Sequence, residues 1–306
     1  MNCPEPVTAR LGRRAFLVRA AAAPLALAVS SRAAPPPGFA VGCFTRPWAD
    51  LEPEGALDAI AEAGFSVAGL MSAKGGIIVT AEATPARIGA VAAHARSRSL
   101  SISALYAGEF LVRGDAAASA GRLRRIIDHA ARCACPRIIL GGTTRPELIG
   151  PYYETVGVCC PAATAAGVTL TVKPHGGTNS TGAQCRKLVE QVNHPALRIW
   201  YDPGNIFYYS DGQLDPVDDA ASVDGDAASV DGLVVAMSMK DFLPPKTVDV
   251  TPGEGRVDFP RVLARLRMGG FTSGPLLIEC LARGDRAFLV NEARRARKFI
   301  GKVVGG

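Results

Sequence analysis

Short apolar runs return along this chain at the interval of a strand plus a helix, and several of them end abruptly in polar residues. Leu170-Thr171-Val172 leads straight into Lys173-Pro174-His175-Gly176-Gly177, where a cation, a proline, one of four histidines and a glycine pair close a buried-type strand. The same event recurs at Ile199-Trp200-Tyr201-Asp202-Pro203-Gly204-Asn205, at Val234 to Met239 followed by Lys240-Asp241, and at Leu276-Leu277-Ile278-Glu279-Cys280. A chain with this rhythm is constrained to an α/β layer architecture whose strand ends carry the chemistry.

Taken in order, strands are predicted at Phe39 to Phe44, Val67 to Met71, Ser101 to Tyr106, Arg137 to Leu140, Leu170 to Val172, Leu197 to Tyr201, Leu233 to Met239 and Pro275 to Cys280. Between them lie helical patterns: 54 to 64, a helix capped by Thr84 with Pro85 at its first position and running to about Ser99, 116 to 134, about 147 to 166, 181 to 192, 259 to 268 and 284 to 303. Eight strands alternating with helices predict a single-domain (β/α)8 TIM barrel over residues 39–306. A doubly wound open sheet is the competing arrangement, but no Gly-x-Gly-x-x-Gly turn follows the first strand. A near-tandem hexapeptide, Ala220 to Gly225 and again Ala227 to Gly232, reads as a small duplication before the seventh strand.

Charge matters only through its distribution. The chain carries +6, but residues 1–33 hold five arginines against Glu5, which leaves +2 for the rest and no basis for nucleic-acid binding. Arg13-Arg14-Ala15-Phe16-Leu17, the alanine-rich stretch to Val29 and the small-residue site at Ser31-Arg32-Ala33 read as a twin-arginine-type signal peptide over residues 1–33. Residues 34–38 then form a proline-rich spacer, and the expected location is the periplasm. The apolar run is too short for a membrane span, so no membrane contact is expected once the signal is removed. The eight cysteines show no paired zinc spacing and read mostly as small core residues.

If the strand C-termini meet at one face, as they do in such a barrel, Lys173, His175, Asp202, Asn205, Ser238, Lys240, Asp241 and Glu279 become neighbours. Arg46 and Trp48 from the first loop and Glu109 from the third join them as candidate substrate-binding residues, together with Asn205 and Lys240. Carboxylates and an imidazole suit a divalent metal, and a lysine could act as base beside a carbonyl. Plainer readings exist for each. Lys173 could merely neutralise Glu279 or Asp202, Asp202 to Asn205 makes a good turn, and Lys240-Asp241 could be a surface ion pair. Glu279, a charge ending an apolar strand, needs a buried partner. His94, His129 and His194 fall on helices or a helix end and read as surface residues.

These strand ends resemble those of the xylose isomerase-like TIM barrel superfamily, the sugar phosphate isomerases/epimerases grouped with AP endonuclease family 2. The resemblance covers roughly residues 39 to 303. It is carried by Lys173-Pro174-His175-Gly176-Gly177 where the family has a Glu-Asn-His-Gly-Gly type end, and by Asp202-Pro203-Gly204-Asn205. Ser238-Met239-Lys240-Asp241 stands for His-x-Lys-Asp, Gly253 to Phe259 for Gly-x-Gly-x-x-Asp-Phe, and Ile278-Glu279 closes the set.

The resemblance implies a Glu, an Asp, a His and a Glu around one Mn2+, Mg2+, Co2+ or Zn2+, with the two glutamates moving protons at a keto-sugar. Asp202 and Glu279 carry over, whereas Lys173 and Ser238 replace the other two ligands. Two centres stay open: a three-ligand metal site of His175, Asp202 and Glu279, or a metal-independent one in which the Lys173 ammonium takes the metal's place. The implied activity is a sugar or keto-sugar isomerase/epimerase working by proton abstraction beside a carbonyl, with Lys173 and Glu279 as catalytic residues and a sugar as substrate. A related lyase acting on oxidised glycosides and a non-catalytic carbohydrate-binding barrel are the alternatives. The nuclease branch requires a histidine-rich three-zinc cluster that this chain lacks. Nothing in the sequence sets the oligomeric state.

Overall fold

The computed structural model describes residue 1 and residues 38–108, 115–223 and 232–305. The expected signal segment beyond Met1, Pro35-Pro36-Pro37, Glu109 and residues 224–231 of the hexapeptide repeat lie outside the described residues. The chain divides into two compact units, Met1–Pro35 and Pro36–Gly306, and all that follows concerns the second.

Eight parallel strands close into a barrel: β1 (Phe39–Phe44), β2 (Val67–Leu70), β3 (Ser101–Tyr106), β4 (Arg137–Leu140), β5 (Thr169–Val172), β6 (Leu197–Tyr201), β7 (Val234–Met239) and β8 (Gly274–Ile278). Each pairs with its sequence neighbours, and β1 meets β8 in the register Phe39↔Gly274 to Cys43↔Ile278, which removes every sheet edge. Helices α1 (Pro53–Glu62), α2 (Pro85–Ser97), α3 (Ala116–Arg132), α4 (Ile149–Ala165) and α5 (Gly182–Val192) follow the first five strands. Then come α6 (Pro203–Tyr209), α7 (Pro216–Val223), α8 (Phe259–Met268) and α9 (Arg286–Gly305). A short antiparallel hairpin, Ser72–Ala73 with Gly76–Ile77, interrupts the second loop. Among the described residues no helix is long and apolar enough to cross a membrane.

The barrel interior is a separate apolar layer of Phe44, Met71, Ala104, Ile139, Trp200, Ala236 and Leu277. Its two large rings, Phe44 and Trp200, sit 5.7 Å apart, and small residues on other strands make room for them. Gly69 is one of these: a Cβ there would fall 2.3 Å from Phe44 Cδ1. The larger core lies between the strands and the helical shell, and the seven described cysteines are buried and form no disulfide with one another.

Local chemistry explains where the helices start. Thr84 Oγ1 accepts from Arg87 N at 3.2 Å with Pro85 behind it, and Thr181 with Gln184 forms a reciprocal capping box at α5. Asp202-Pro203-Gly204-Asn205 is a helix start rather than a free turn. Asp202 caps α6 by accepting from Asn205 N at 3.0 Å, and Pro203 occupies the first helical position. Neither α6 nor α7 is evident in the sequence, because a capped proline start and a turn share the same residues. His129 is also not a surface residue: it is buried on the inner side of α3.

Candidate functional site

Five charged side chains meet just beyond the C-terminal ends of β5 to β8 and the start of the first loop. Lys173 follows β5, Asp202 follows β6, Lys240 follows β7, Glu279 follows β8 and Arg46 follows β1. Lys173, Asp202, Lys240 and Glu279 are each at most 3% exposed, so no bulk water screens them.

The Lys173 ammonium bridges the two carboxylates, 2.8 Å from Asp202 Oδ2 and in direct contact with Glu279 Oε2. Lys240 Nζ lies 2.6 Å from Glu279 Oε1, 3.4 Å from Asp202 Oδ2 and 2.9 Å from Asn205 Oδ1. Arg46 Nη1 donates to Glu279 Oε1 at 2.8 Å. Ser238 Oγ donates to Glu279 Oε2 at 2.8 Å and itself accepts from Trp200 Nε1 at 2.9 Å. Glu279 thus receives two donors on each oxygen, and three cations face two carboxylates, leaving one positive charge in excess.

The fold supports this arrangement from behind. A Cβ at Gly204 would lie 2.6 Å from Lys240 O, so glycine lets the α6 start pack against the β7 end. Asn205, in the first turn of α6, links the ends of β5 and β7, donating from Nδ2 to Pro174 O at 2.5 Å while Oδ1 receives Lys240. Asn179 fixes the β5 loop by donating to Lys173 O at 2.7 Å and Gly141 O at 3.0 Å.

Electrostatics follow from burial set against partners. Burial alone would push the Glu279 carboxyl up, but Lys173, Lys240 and Arg46 overcome it and hold the group well below the usual range. Lys240 is the mirror case: burial disfavours its charge, and Asp202 and Glu279 more than reverse that, raising its pKa. His175 is pushed down to about 4 by burial and then by the nearby Lys173 and Lys240 charges, so its imidazole is neutral at neutral pH. Its ring stands between those of Tyr106 and Tyr209, at 6.2 and 5.9 Å, and forms no hydrogen bond to the charged cluster.

The other expected residues divide. Asn205, Lys240 and Arg46 join the cluster, and Glu109 lies outside the described residues. Trp48, expected to bind substrate, is buried in the core between strands and helices. Lys240 and Asp241 do not form a surface pair. Both are buried, and Asp241 turns away to accept from the backbone N–H groups of Phe242, Gly253, Gly255 and Val257 at 2.8 to 3.0 Å. Ser238 contributes as a donor to Glu279. Asn179 and Tyr209 were not singled out in the sequence, and no local pattern marks either.

The divalent metal implied by the resemblance does not fit these residues. Asp202 and Glu279 spend their lone pairs on ammonium, guanidinium, hydroxyl and amide donors, and Lys173 Nζ occupies the position between them. A further double positive charge would enter a cluster already in cationic excess. The expected His175, Asp202 and Glu279 ligand set is therefore not assembled, and among the described residues no three His, Cys, Asp or Glu side chains are grouped to hold a metal ion.

Arg46, about one-third exposed, is the member of the cluster that reaches the surface, and it also lines an outer cleft of about 620 Å³ with Tyr208, Lys246, Asp249 and Arg283, a size suited to a small molecule. A buried cluster of this charge can bind an oxygen-rich ligand and stabilise negative charge developing on a carbonyl oxygen.

The sequence profile of the family described as xylose isomerase-like TIM barrel matches residues 57–301. No curated protein matches the chain. Among solved structures, a D-psicose 3-epimerase determined in the presence of D-fructose superposes with a TM-score of 0.67 at 15% identity, over 87% of this chain and 100% of that one. A xylose isomerase domain protein from Planctomyces limnophilus gives 0.65 at 18% identity, over 87% and 98%. The 3-keto-D-glucoside 4-epimerase from E. coli gives 0.63 at 14%, over 86% and 99%. At these identities the likeness is one of fold.

Proposed function

Because the chain belongs to the xylose isomerase-like TIM barrel family, we propose that it is a sugar or keto-sugar isomerase/epimerase-like enzyme. It abstracts a proton from the carbon beside a carbonyl, at the C-terminal face of the barrel. The observation that carries this reading is the buried cluster in which Lys173, Lys240 and Arg46 outnumber Asp202 and Glu279. A neutral ketose entering it gains little, but the enediolate formed by proton loss carries the one negative charge that the cluster lacks. Preorganised charge in a water-poor site then favours the transition state over the ground state.

In this role Lys173 and Lys240 face the carbonyl oxygen. Asp202 and Glu279 hold the two ammoniums apart and aimed, and Arg46 with Asn205 contributes hydrogen bonds to substrate hydroxyls. Lys173 is an electrostatic group rather than a base, since its nitrogen is committed to two carboxylates. Export through a twin-arginine route, with residues 1–33 removed and residues 39–306 acting in the periplasm, belongs to the same proposal. N-terminal sequencing of protein recovered from the periplasm tests it.

The activity is tested by incubating the purified protein in 2H2O with free ketoses, aldoses and 3-keto-glycosides, with and without EDTA, and following C–H exchange and products by NMR. Exchange at a carbon next to a carbonyl, unaffected by EDTA, is the expected result. Absence of exchange and of product with every sugar sinks the proposal. Saturable sugar binding without exchange would instead support the non-catalytic carbohydrate-binding barrel.

A further inference from the structure

Resting on that reading, we infer that His175 is the single proton carrier of the site, and that the reaction is therefore a proton transfer between adjacent carbons on one face of the substrate: an aldose–ketose isomerisation rather than an inversion at one carbon. The argument starts from what the other groups are already doing. Both Glu279 oxygens are filled by Arg46, Lys240, Lys173 and Ser238. Asp202 Oδ2 lies against Lys173 and Lys240, and its Oδ1 caps α6. Glu279, with four donors of which three are cationic, has no lone pair left to offer a C–H bond, and Asp202, fully buried with three donors, presents no exposed oxygen.

His175 stands differently. It is half-buried, its backbone is pinned to Asn179 by an N–H to carbonyl bond of 2.8 Å, and its ring is packed between two tyrosine rings. None of the cluster's polar groups occupies its nitrogens, and the imidazole is neutral when substrate arrives.

The step balances without any further reactant. A lone pair on an imidazole nitrogen takes the proton from the carbon beside the carbonyl. The C–H bonding pair becomes the C=C bond of the enediolate, and the carbonyl π pair moves to oxygen beside the Lys173 and Lys240 ammoniums. A proton passes between the two enediolate oxygens. The imidazolium then returns its proton to the neighbouring carbon, restoring neutral histidine and leaving the isomeric carbonyl compound. The new enediolate charge favours the imidazolium while it exists, which offsets the repulsion from the lysines. One carrier fixed by its packing reaches one face. Inversion at a single carbon needs a second carrier on the opposite face, and both carboxylates of the cluster are committed to other donors.

The test uses full-length processed protein and a sugar deuterated at the carbon that loses its proton. With wild type, product is expected to retain part of the label on the neighbouring carbon, the remainder washing out to solvent. His175→Gln is expected to lose both isomerisation and wash-out by about 10²- to 10⁴-fold while keeping its near-UV circular dichroism. His175→Ala with added imidazole is expected to recover wash-out, which covers the case in which the glutamine variant fails to fold. Wash-out within a few-fold of wild type in both variants overturns the assignment while leaving the proposed activity standing. So does a product inverted at one carbon with no label retained, or complete retention that is indifferent to His175. A wild-type protein that exchanges no sugar overturns both.

Discussion

Asp241 and Glu279 stand at the ends of neighbouring strands, both are carboxylates buried to within 2% of full, and both receive four donors. Their donors differ in kind. Those of Asp241 are backbone N–H groups of residues 242 to 257, so the side chain ties the loop after β7 to the strand it leaves. Those of Glu279 are an arginine, two lysines and a serine, none held there by the backbone geometry of its own peptide group. A carboxylate bonded to peptide groups is architecture, because its donors cannot leave without unfolding the loop. One bonded to flexible cations holds charge in readiness, because each cation can turn to a substrate oxygen while remaining near its partner. Surface pairs such as Arg98–Asp58 teach less, because water screens them and they add little to stability.

The largest effect is expected at Glu279. Glu279→Ala leaves Lys173, Lys240 and Arg46 with one carboxylate among them, a cost of about 3–5 kcal/mol for breaking a buried pair, and exchange at the substrate carbon disappears. Urea unfolding with an exchange assay on the folded fraction checks both; retained activity per folded molecule would break the contrast with Asp241.

Next comes pH, through His175. The unfolded imidazole binds a proton near 6.5 and the native one near 4. Above 6.5 both states are neutral and the residue contributes nothing. As pH falls from 6.5 towards 4, the unfolded state gains a proton that the native state refuses, so stability drops by about 1.4 kcal/mol per pH unit from this group alone. Asp219 runs the other way: burial raises it to about 6, so the native state gains a proton and stability as pH falls through that value. Wild type alone therefore shows a flattened profile. The difference between wild type and His175→Gln, measured by urea unfolding at neutral pH and again at about pH 5, isolates the histidine, and His175→Gln is expected to be the less acid-sensitive of the two.

Asp241→Asn is expected to cost about 1–3 kcal/mol, because an amide nitrogen then faces N–H donors that lose their acceptor. Exchange per folded molecule stays near wild type, read from the same pair of measurements. A loss of exchange without a loss of stability would erase the distinction between the two carboxylates. The smallest expected effect is that of Ser238→Ala, which removes one neutral donor from Glu279 and strands the Trp200 N–H, for about 1 kcal/mol. It is detected as a lower melting temperature.

The strand ends were legible because apolar runs announce strands and barrels bring their ends together. β1, β3, β4, β6 and α8 begin and end at the residues expected from pattern alone. What connects them was not. Lys173 and Glu279 are 106 residues apart, and nothing local says that the ammonium bridges Glu279 to Asp202. The dipeptide Lys240-Asp241 invited a pairing between neighbours, yet the two side chains of a strand end point to opposite sides and serve different partners. His129 sits on a helix whose polar residues suggested solvent, but its position on the inner side of α3 buried it. Trp48 looked like a loop residue available to a ligand and instead fills core. Local chemistry set the elements, and the long-range assembly decided which polar residue met which.

Trp200 lies in the barrel interior and donates its indole N–H to Ser238, which in turn donates to Glu279. The chain has two tryptophans, and the other, Trp48, is packed in the outer core. The protein thus carries its own optical gauge: a fluorophore two hydrogen bonds from the carboxylate that any ligand must disturb. Titrating a sugar into the native protein is expected to shift indole emission as the ligand perturbs the field around the still-paired Glu279, and Ser238→Ala will cut that wire while leaving the sugar bound.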